Sequence, residues 1–348
     1  MTESTRTAAA RGGTVSPGYE AAIGGLAILD RSDRSRLRVH GRAPRQMLNG
    51  ILTGTLPEPP AVDDADVASG TATYHAVLTP KGKMVTDLWA WLPVDEEGDG
   101  FLLDVPEAGA PGLFEHLRKV LPPRLARLDD VSADTGMLAV VGPEGAAALS
   151  RILFGLRIEA DRLGELEEGG WLRLGSDGPV VVRSHDVRPG AFYVVGDRTA
   201  VAALGKRLAE AGAVAMSADD WDTLRVEAGR PAFGVDMTDA TIPIEAGIHD
   251  RAIDHQKGCY TGQEVIVRIR DRGHVNRHLR KIALGDVPLP DPGTELFAPG
   301  DDAKAVGWVT SVVRSPTEGG VVVLAYVRRG VDTIAFAGRE ITVDSGSP

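Results

Sequence analysis

A thiol, a cation, a phenol and two long polar side chains fall within the eight residues Lys257-Gly-Cys-Tyr-Thr-Gly-Gln-Glu264. Glycine punctuates the run at Gly258 and Gly262, so the backbone can turn tightly and hold these groups close together. Cys259 is the only cysteine of the chain. No intrachain disulfide and no Cys-rich zinc or cluster cage can therefore be built from this chain alone. Thr261 and Glu264 have the spacing of a capping box, which predicts a helix from Gly262 to about Gly273. The alternative is a strand over Val265-Ile-Val-Arg-Ile269. On the helix reading, Cys259 lies just before a helix N-terminus and beside Lys257, surroundings that favour the thiolate. A buried cysteine filling space behind a tight turn is the competing reading.

Two carboxylates and an indole are further candidates. Asp87 closes the stretch Pro80-Lys-Gly-Lys-Met-Val-Thr-Asp87, where Lys81-Gly-Lys83 reads as a hairpin turn too short for a nucleotide site. Asp87 is either a working acid or a solvated acid at a strand end. Glu227 and Trp221 belong to Trp221-Asp-Thr-Leu-Arg-Val-Glu-Ala-Gly-Arg-Pro231, with a helix start at Ser217 and Asp220. Six positions apart on an ideal helix, the two side chains point roughly 120° apart, so they share no flat face. Trp221 as a core residue and Glu227 as an ordinary helix charge are the plainer readings. Gly142-Pro-Glu-Gly145 lacks the spacing of a phosphate-binding loop and reads as a turn. The eight histidines show no helical pairing, so no metal site is expected.

These residues need a scaffold, and the chain can build one. It has 348 residues, 43% of them hydrophobic, enough for a large core in two or three packed units. Its formal charge of -11 and its lack of a long basic run argue against nucleic-acid binding. No run approaches the roughly 20 apolar residues of a membrane span. With a single unpaired thiol, the expected compartment is a reducing cytoplasm. Residues 1–22 read as a disordered tail. Strands are expected at Leu37–His40, Tyr74–Leu78, Val85–Leu92, Phe101–Val105, Met137–Val141, Val180–Arg183 and Phe192–Val195. Helices are expected at Ala43–Leu52, Leu113–Leu121, Ala146–Leu153 and Ala200–Ala211. Leu163–Gly170 and Asp95–Gly100 read as surface connections. After about Val275 only short strands remain, at Leu279–Leu284, Ala305–Val313, Val321–Val327 and Glu340–Val343, the pattern of a small barrel or sandwich. The fold class is α+β, with an α+β region over 23–274 and a C-terminal β-barrel domain over 275–348.

Lys257, Gly258, Cys259, Tyr260, Gly262, Gln263 and Glu264 together resemble the signature of the YgfZ branch of the glycine-cleavage T-protein superfamily. The segment Trp221 to Pro231 resembles the one in which a glutamate before Ala-Gly recognises the pterin ring. Glu227 holds that place, and a carboxylate can accept two hydrogen bonds from a pterin. Trp221 falls where the branch carries a folate-contacting tryptophan. Asp87 falls where T-proteins present a catalytic aspartate, which would orient and activate the folate-linked amine. Leu37 to Thr53 resembles the family's opening strand-Gly-helix unit, with Arg42-Ala43-Pro44 where an aspartate is usual. Gly307-Trp308 and Ala325 to Arg328 are placed as in its terminal β-barrel.

The resemblance implies a T-protein-like fold with a central cavity for tetrahydrofolate or a one-carbon derivative, lined by Glu227, Asp87, Tyr260, Lys257 and Trp221. It implies an accessory protein that binds folate and supports iron–sulfur cluster assembly or repair in client proteins, with Cys259 as its working thiol. An aminomethyltransferase, taking a one-carbon unit from a lipoyl carrier protein to tetrahydrofolate, is the alternative. Asp87 favours it, whereas the Cys259 segment replaces the turn typical of authentic T-proteins. A third reading is a non-catalytic, folate-dependent scaffold. Nothing in the chain resembles the flavin domain of related demethylases, so no flavin is expected.

Overall fold

Alternation of apolar side chains along the strands decides how the chain layers. In Thr135–Val141, residues Met137, Ala139 and Val141 join one core while Leu138 and Val140 join another, the period-two division of a strand covered on both faces. The computed structural model describes residues 15–92 and 100–343. An eight-stranded sheet runs in the order Val214–Ala215, Ala27–Asp30, Thr135–Val141, Ala191–Asp197, Val180–Ser184, Gly170–Leu174, Val67–Thr71, Ala61–Val62. Its pairings are antiparallel except Ala27–Asp30 with Val214–Ala215. A five-stranded sheet runs Thr73–Leu78, Met84–Trp91, Phe101–Val105, Ser35–His40, Arg127–Asp130.

The two sheets contribute to a common central core. It takes Tyr74, Trp89 and Trp91 from the smaller sheet and Met137, Trp171 and Tyr193 from the larger. The outer face of the larger sheet is covered by the helix Arg198–Glu210 through Val201, Leu204 and Leu208. The outer face of the smaller sheet is covered by Ala110–Val120 through Leu113 and Leu117.

The expected strands and the long helices fall close to their places. Ala43–Leu52 shortens to the helix Pro44–Asn49, because Leu52 leaves helical geometry to bridge Val77 at the sheet edge. Ala146–Leu153 begins as the α-helix Gly145–Ala148 and widens into a π-helical turn at Leu149–Leu153. Residues 17–22, expected within a tail, lie in the helix Pro17–Gly24. It is capped by the Ser16 hydroxyl and docked by the buried Tyr19 and Ala22. Residues 95–99 of the expected Asp95–Gly100 connection and 1–14 of the tail lie outside the described residues. Within Leu163–Gly170, Leu163 is buried and Gly170 already opens a strand.

The C-terminal strands form a six-stranded antiparallel sheet, ordered Arg277–Gly285, Gly320–Arg328, Asp301–Ser315, Glu295–Ala298, Thr333–Phe336, Arg339–Thr342. Its two end strands pair with no further described strand. The expected barrel is thus a half-barrel, because the last two strands have only four residues each and do not reach back to the first.

A buried polar knot fastens this sheet to the rest of the chain. Arg225 donates to the Asp236 carboxylate at 2.8 Å, to the Arg230 carbonyl at 2.7 Å and to the Ser311 hydroxyl at 3.0 Å. Asp236 also accepts from Thr310 at 2.5 Å and Ser311 at 2.7 Å, and its carbonyl accepts from Tyr326. Removing one partner of a buried pair leaves the other charge uncompensated. Asp236→Ala should therefore lower unfolding stability by about 3–5 kcal/mol in a urea titration, while Asp222→Ala, at the exposed end of the same arginine, should change it by less than about 1 kcal/mol.

Candidate active site

The Lys257–Glu264 segment is held by backbone more than by its own side chains. Lys257 Nζ donates to the carbonyls of Leu52 and Gly54, each at 2.7 Å. Thr261 N–H donates to the Gly50 carbonyl, and Asp254 accepts from the Thr55 hydroxyl. The segment is thus laid along residues 50–55. Burial pushes the Lys257 ammonium down to about 8, against the pull of Asp254. Lys257 therefore anchors the loop, and its hydrogen bonds run to carbonyls rather than to the Cys259 thiol.

Cys259 is exposed, which sets aside the buried-cysteine reading. The helix Gln263–Arg272 begins where expected, so the strand alternative falls. Its N-cap is Gly262, without any side-chain cap, so the expected Thr261–Glu264 capping box does not form. The reason is steric and conformational. Gly262 has φ +85°, and a Cβ there would lie 2.7 Å from the Thr79 carbonyl oxygen, so the chain makes its turn against the Thr73–Trp91 hairpin. Gly258 has open space around it. Gln263 is half-buried and Glu264 exposed. Tyr260 is buried with a hydroxyl that has no hydrogen-bond partner among the described residues, and burial pushes it up to about 12.

Asp87 lies on the central-core side of Met84–Trp91, buried rather than solvated. Tyr74 donates to its Oδ2 at 2.7 Å, and its Oδ1 has no partner among the described residues. Burial raises its pKa, opposed by the Tyr74 hydrogen bond and the Arg34 charge. Tyr74 packs on Trp89, ring centroids 5.4 Å apart, and Arg251 covers both rings at 4.2 and 5.0 Å. Arg251 in turn donates to Glu168 at 2.5 and 3.1 Å and to Asp186 at 2.7 Å. Trp171, in the same core, also has an Nε1 without a partner among the described residues.

Glu227 and Trp221 lie in the helix Ala218–Glu227, started by a Ser217–Asp220 capping box. They face different surroundings, as the helical spacing requires. Trp221 packs on Tyr193 at 6.0 Å with Arg31 over its ring at 4.6 Å, in the central core. Glu227 is buried and accepts from Tyr19 at 2.8 and 3.0 Å and from Ser315 at 2.5 Å. It is thus a tie between the N-terminal helix and the C-terminal sheet, with both oxygens engaged.

Trp221 and Tyr260 belong to the same extended core as Tyr74, the partner of Asp87, and as Tyr19, the partner of Glu227, while Cys259 is at the surface. An open cleft of about 640 Å³ lies elsewhere, between Arg42, Arg45, Asn49, Leu56, Leu92 and Phe101, and none of these candidates lines it. Among the described residues no group of three or more His, Cys, Asp or Glu is disposed to hold a metal, and no helix is long and apolar enough to cross a membrane. Tyr74, Asp186, Glu168, Arg251 and Tyr19 were not among the candidates read from sequence. They are scattered along the chain, and only the Arg251 to Cys259 interval is short.

Comparison with known proteins places the chain. Residues 14–257 match the family described as the GCVT N-terminal domain, and the chain belongs to that family. It is 28% identical to an aminomethyltransferase of Rubrobacter xylanophilus over 89% of this chain and 78% of the relative. It is likewise 28% identical to an aminomethyltransferase of Corynebacterium jeikeium, over 94% and 85%. A putative chloroplastic transferase of Arabidopsis thaliana is 24% identical over 92% and 68%. The fold matches the crystal structure of glycine cleavage system aminomethyltransferase T from Bartonella henselae, with TM-score 0.77 and 21% identity over 94% of this chain and 87% of that one.

The packing beneath the Lys257 segment makes a pH-dependent prediction. His75 is fully buried, its Nδ1 accepting from Gly54 N–H at 3.0 Å and its Nε2 meeting the Thr73 hydroxyl at 2.7 Å. Burial, aided by the Lys257 charge, takes it down to about 3. The folded protein keeps this ring neutral while the unfolded chain protonates it below about pH 6.5, so its contribution is full above 6.5 and declines as pH falls towards 3. Unfolding titrations at pH 7 and pH 5 should show about 2 kcal/mol less of a loss in His75→Asn than in wild type. Gly262→Ala, measured at pH 7, should cost about 1–3 kcal/mol because a side chain there meets backbone at positive φ.

Proposed function

We propose that this chain binds tetrahydrofolate or a one-carbon derivative and transfers an aminomethyl-type one-carbon unit. The observation that carries this reading is Asp87, buried with one carboxylate oxygen hydrogen-bonded and the other unpartnered in an aromatic-rich core. Buried polar atoms are normally satisfied, so an orphaned acceptor marks a place where a ligand donor fits. An amine of folate would meet Oδ1 and be oriented by it, while Tyr74 holds Oδ2 still. Tyr260, with its own free hydroxyl, and Trp171 would supply further polar edges, and Trp221 a flat apolar one. The relatives named aminomethyltransferase support the same chemistry. Glu227 would meet the pterin while already accepting from Tyr19 and Ser315. In this reading residues 23–274 form the folate-binding region, and 275–348 form a C-terminal unit that braces it.

A second reading, an accessory role of the YgfZ type towards iron–sulfur clients, is favoured by one specific observation. The single thiol of the Lys257–Glu264 signature is at the surface, available to a partner and separate from the buried acid. A reducing cytoplasm suits such a thiol.

Calorimetric titration of tetrahydrofolate, with turnover on an aminomethyl-lipoyl carrier, tests both. The transferase reading expects Asp87→Asn to bind folate within about threefold of wild type and to lose 10²- to 10⁴-fold in turnover, roughly the worth of a positioned acid–base group. Binding without turnover in wild type, together with loss of client iron–sulfur enzyme activity in cells carrying Cys259→Ser, would transfer support to the accessory reading. Absence of folate binding would overturn both.

A further inference from the structure

We propose that Arg251 is a positioning residue for the Asp87 carboxylate, acting through Tyr74 and Asp186. The proposal rests on the reading of Asp87 as the working acid. Arg251 lies in the short helix His249–Ala252, just before the Lys257–Glu264 segment, yet its guanidinium reaches the central core. There it makes two kinds of contact. Its face lies 4.2 Å from the Tyr74 ring centroid and 5.0 Å from that of Trp89, clamping the phenol whose hydroxyl donates to Asp87 Oδ2. Its edge is chelated by Glu168 and Asp186, with Nη2 bonded to both and Nε to Glu168. A planar fork can stack and bridge two carboxylates at once, which an ammonium cannot.

The charges around Asp87 come from several elements. Tyr74 is on the neighbouring strand, Arg34 follows the first strand of the larger sheet and is itself paired with Asp104 at 2.6 Å, and Asp186 lies in the loop after Val180–Ser184. Tyr193 donates to Asp186 at 3.0 Å. Of these, Asp186 is the anion that opposes ionisation of Asp87, whereas Arg34 favours it. Arg251 pairs with Asp186 and Glu168 together, and Glu168 also meets Arg230 at 3.9 Å. Without it, Asp186 would face Asp87 with only the Tyr193 hydrogen bond as partner, and the Tyr74 ring would lose the cation that holds it.

The Asp87 carboxyl can be followed directly in ligand-free full-length protein by carbon-13 NMR with labelled aspartate Cγ, using Asp87→Asn to identify its resonance. Arg251→Gln is expected to raise the Asp87 midpoint by about one pH unit, Arg251→Lys by clearly less, and Asp186→Asn to lower it. Should Arg251→Gln fail to fold, Asp186→Asn decides: a lowered midpoint supports the proposal, and an unmoved or raised one overturns it. Because no folate is present, these outcomes are independent of whether the chain binds it.

Discussion

Charge buried between two sheets must be neutralised in place, and the centre of this protein is organised by that requirement. Arg251, Glu168, Asp186, Tyr193, Tyr74 and Asp87 form a run of hydrogen bonds, ion pairs and ring contacts between the larger and smaller sheets, and the charge of Arg34, itself paired with Asp104, acts on Asp87. An isolated ion there would carry a desolvation cost of several kcal/mol, so each member holds its place only while its neighbours do. Asp186 shows the outcome: burial alone would raise its pKa, but the Arg251 charge and hydrogen bond override this and hold it below the usual carboxylate range. Asp87, whose partner is a neutral phenol, is raised instead. Two aspartates in one core are thus driven apart by their partners, a division that acid–base chemistry commonly exploits.

The same logic fastens the periphery. Arg225 and Asp236 join the Ala218–Glu227 helix to the half-barrel, and Glu227 joins that sheet to the N-terminal helix through Ser315 and Tyr19. Lys257 is the corresponding tie for the Cys259 segment, although its acceptors are the backbone carbonyls of Leu52 and Gly54. One consequence is a separation of chemistry: the acid is interior, and the thiol is at the surface on a loop tied down by Lys257 and Thr261. A thiol so placed can meet a macromolecule, and an acid so placed can meet only a small ligand that enters the core.

Much of this was legible in the sequence where local rules suffice. Period-two runs such as Tyr74–Leu78 and Phe101–Val105 gave strands at the expected places, and Ser217 with Asp220 gave a true capping box. The capping box expected at Thr261 and Glu264 failed because Gly262 turns in the left-handed region against the Thr79 carbonyl, a contact with residues far away in the chain. The tail expected over residues 1–22 gave way, over residues 17–22, to a helix for a similar reason. Pro17–Gly24 has a weak local pattern and is held by Tyr19 on Glu227, 208 positions later.

By itself the sequence determined the identity of the reactive groups, the family resemblance around Lys257–Glu264, and the order of most strands and helices, because these depend on residue type and near-neighbour spacing. Only the tertiary structure decided which groups meet. It placed Asp87 on a phenol and left one oxygen without a partner among the described residues, bonded Glu227 to Tyr19 and Ser315, tied Lys257 to carbonyls, and brought Arg251 from beside the Cys259 loop onto Tyr74. Those relations arise from sheet register and from compensation of buried charge across long chain separations, and residue spacing does not encode either of them directly.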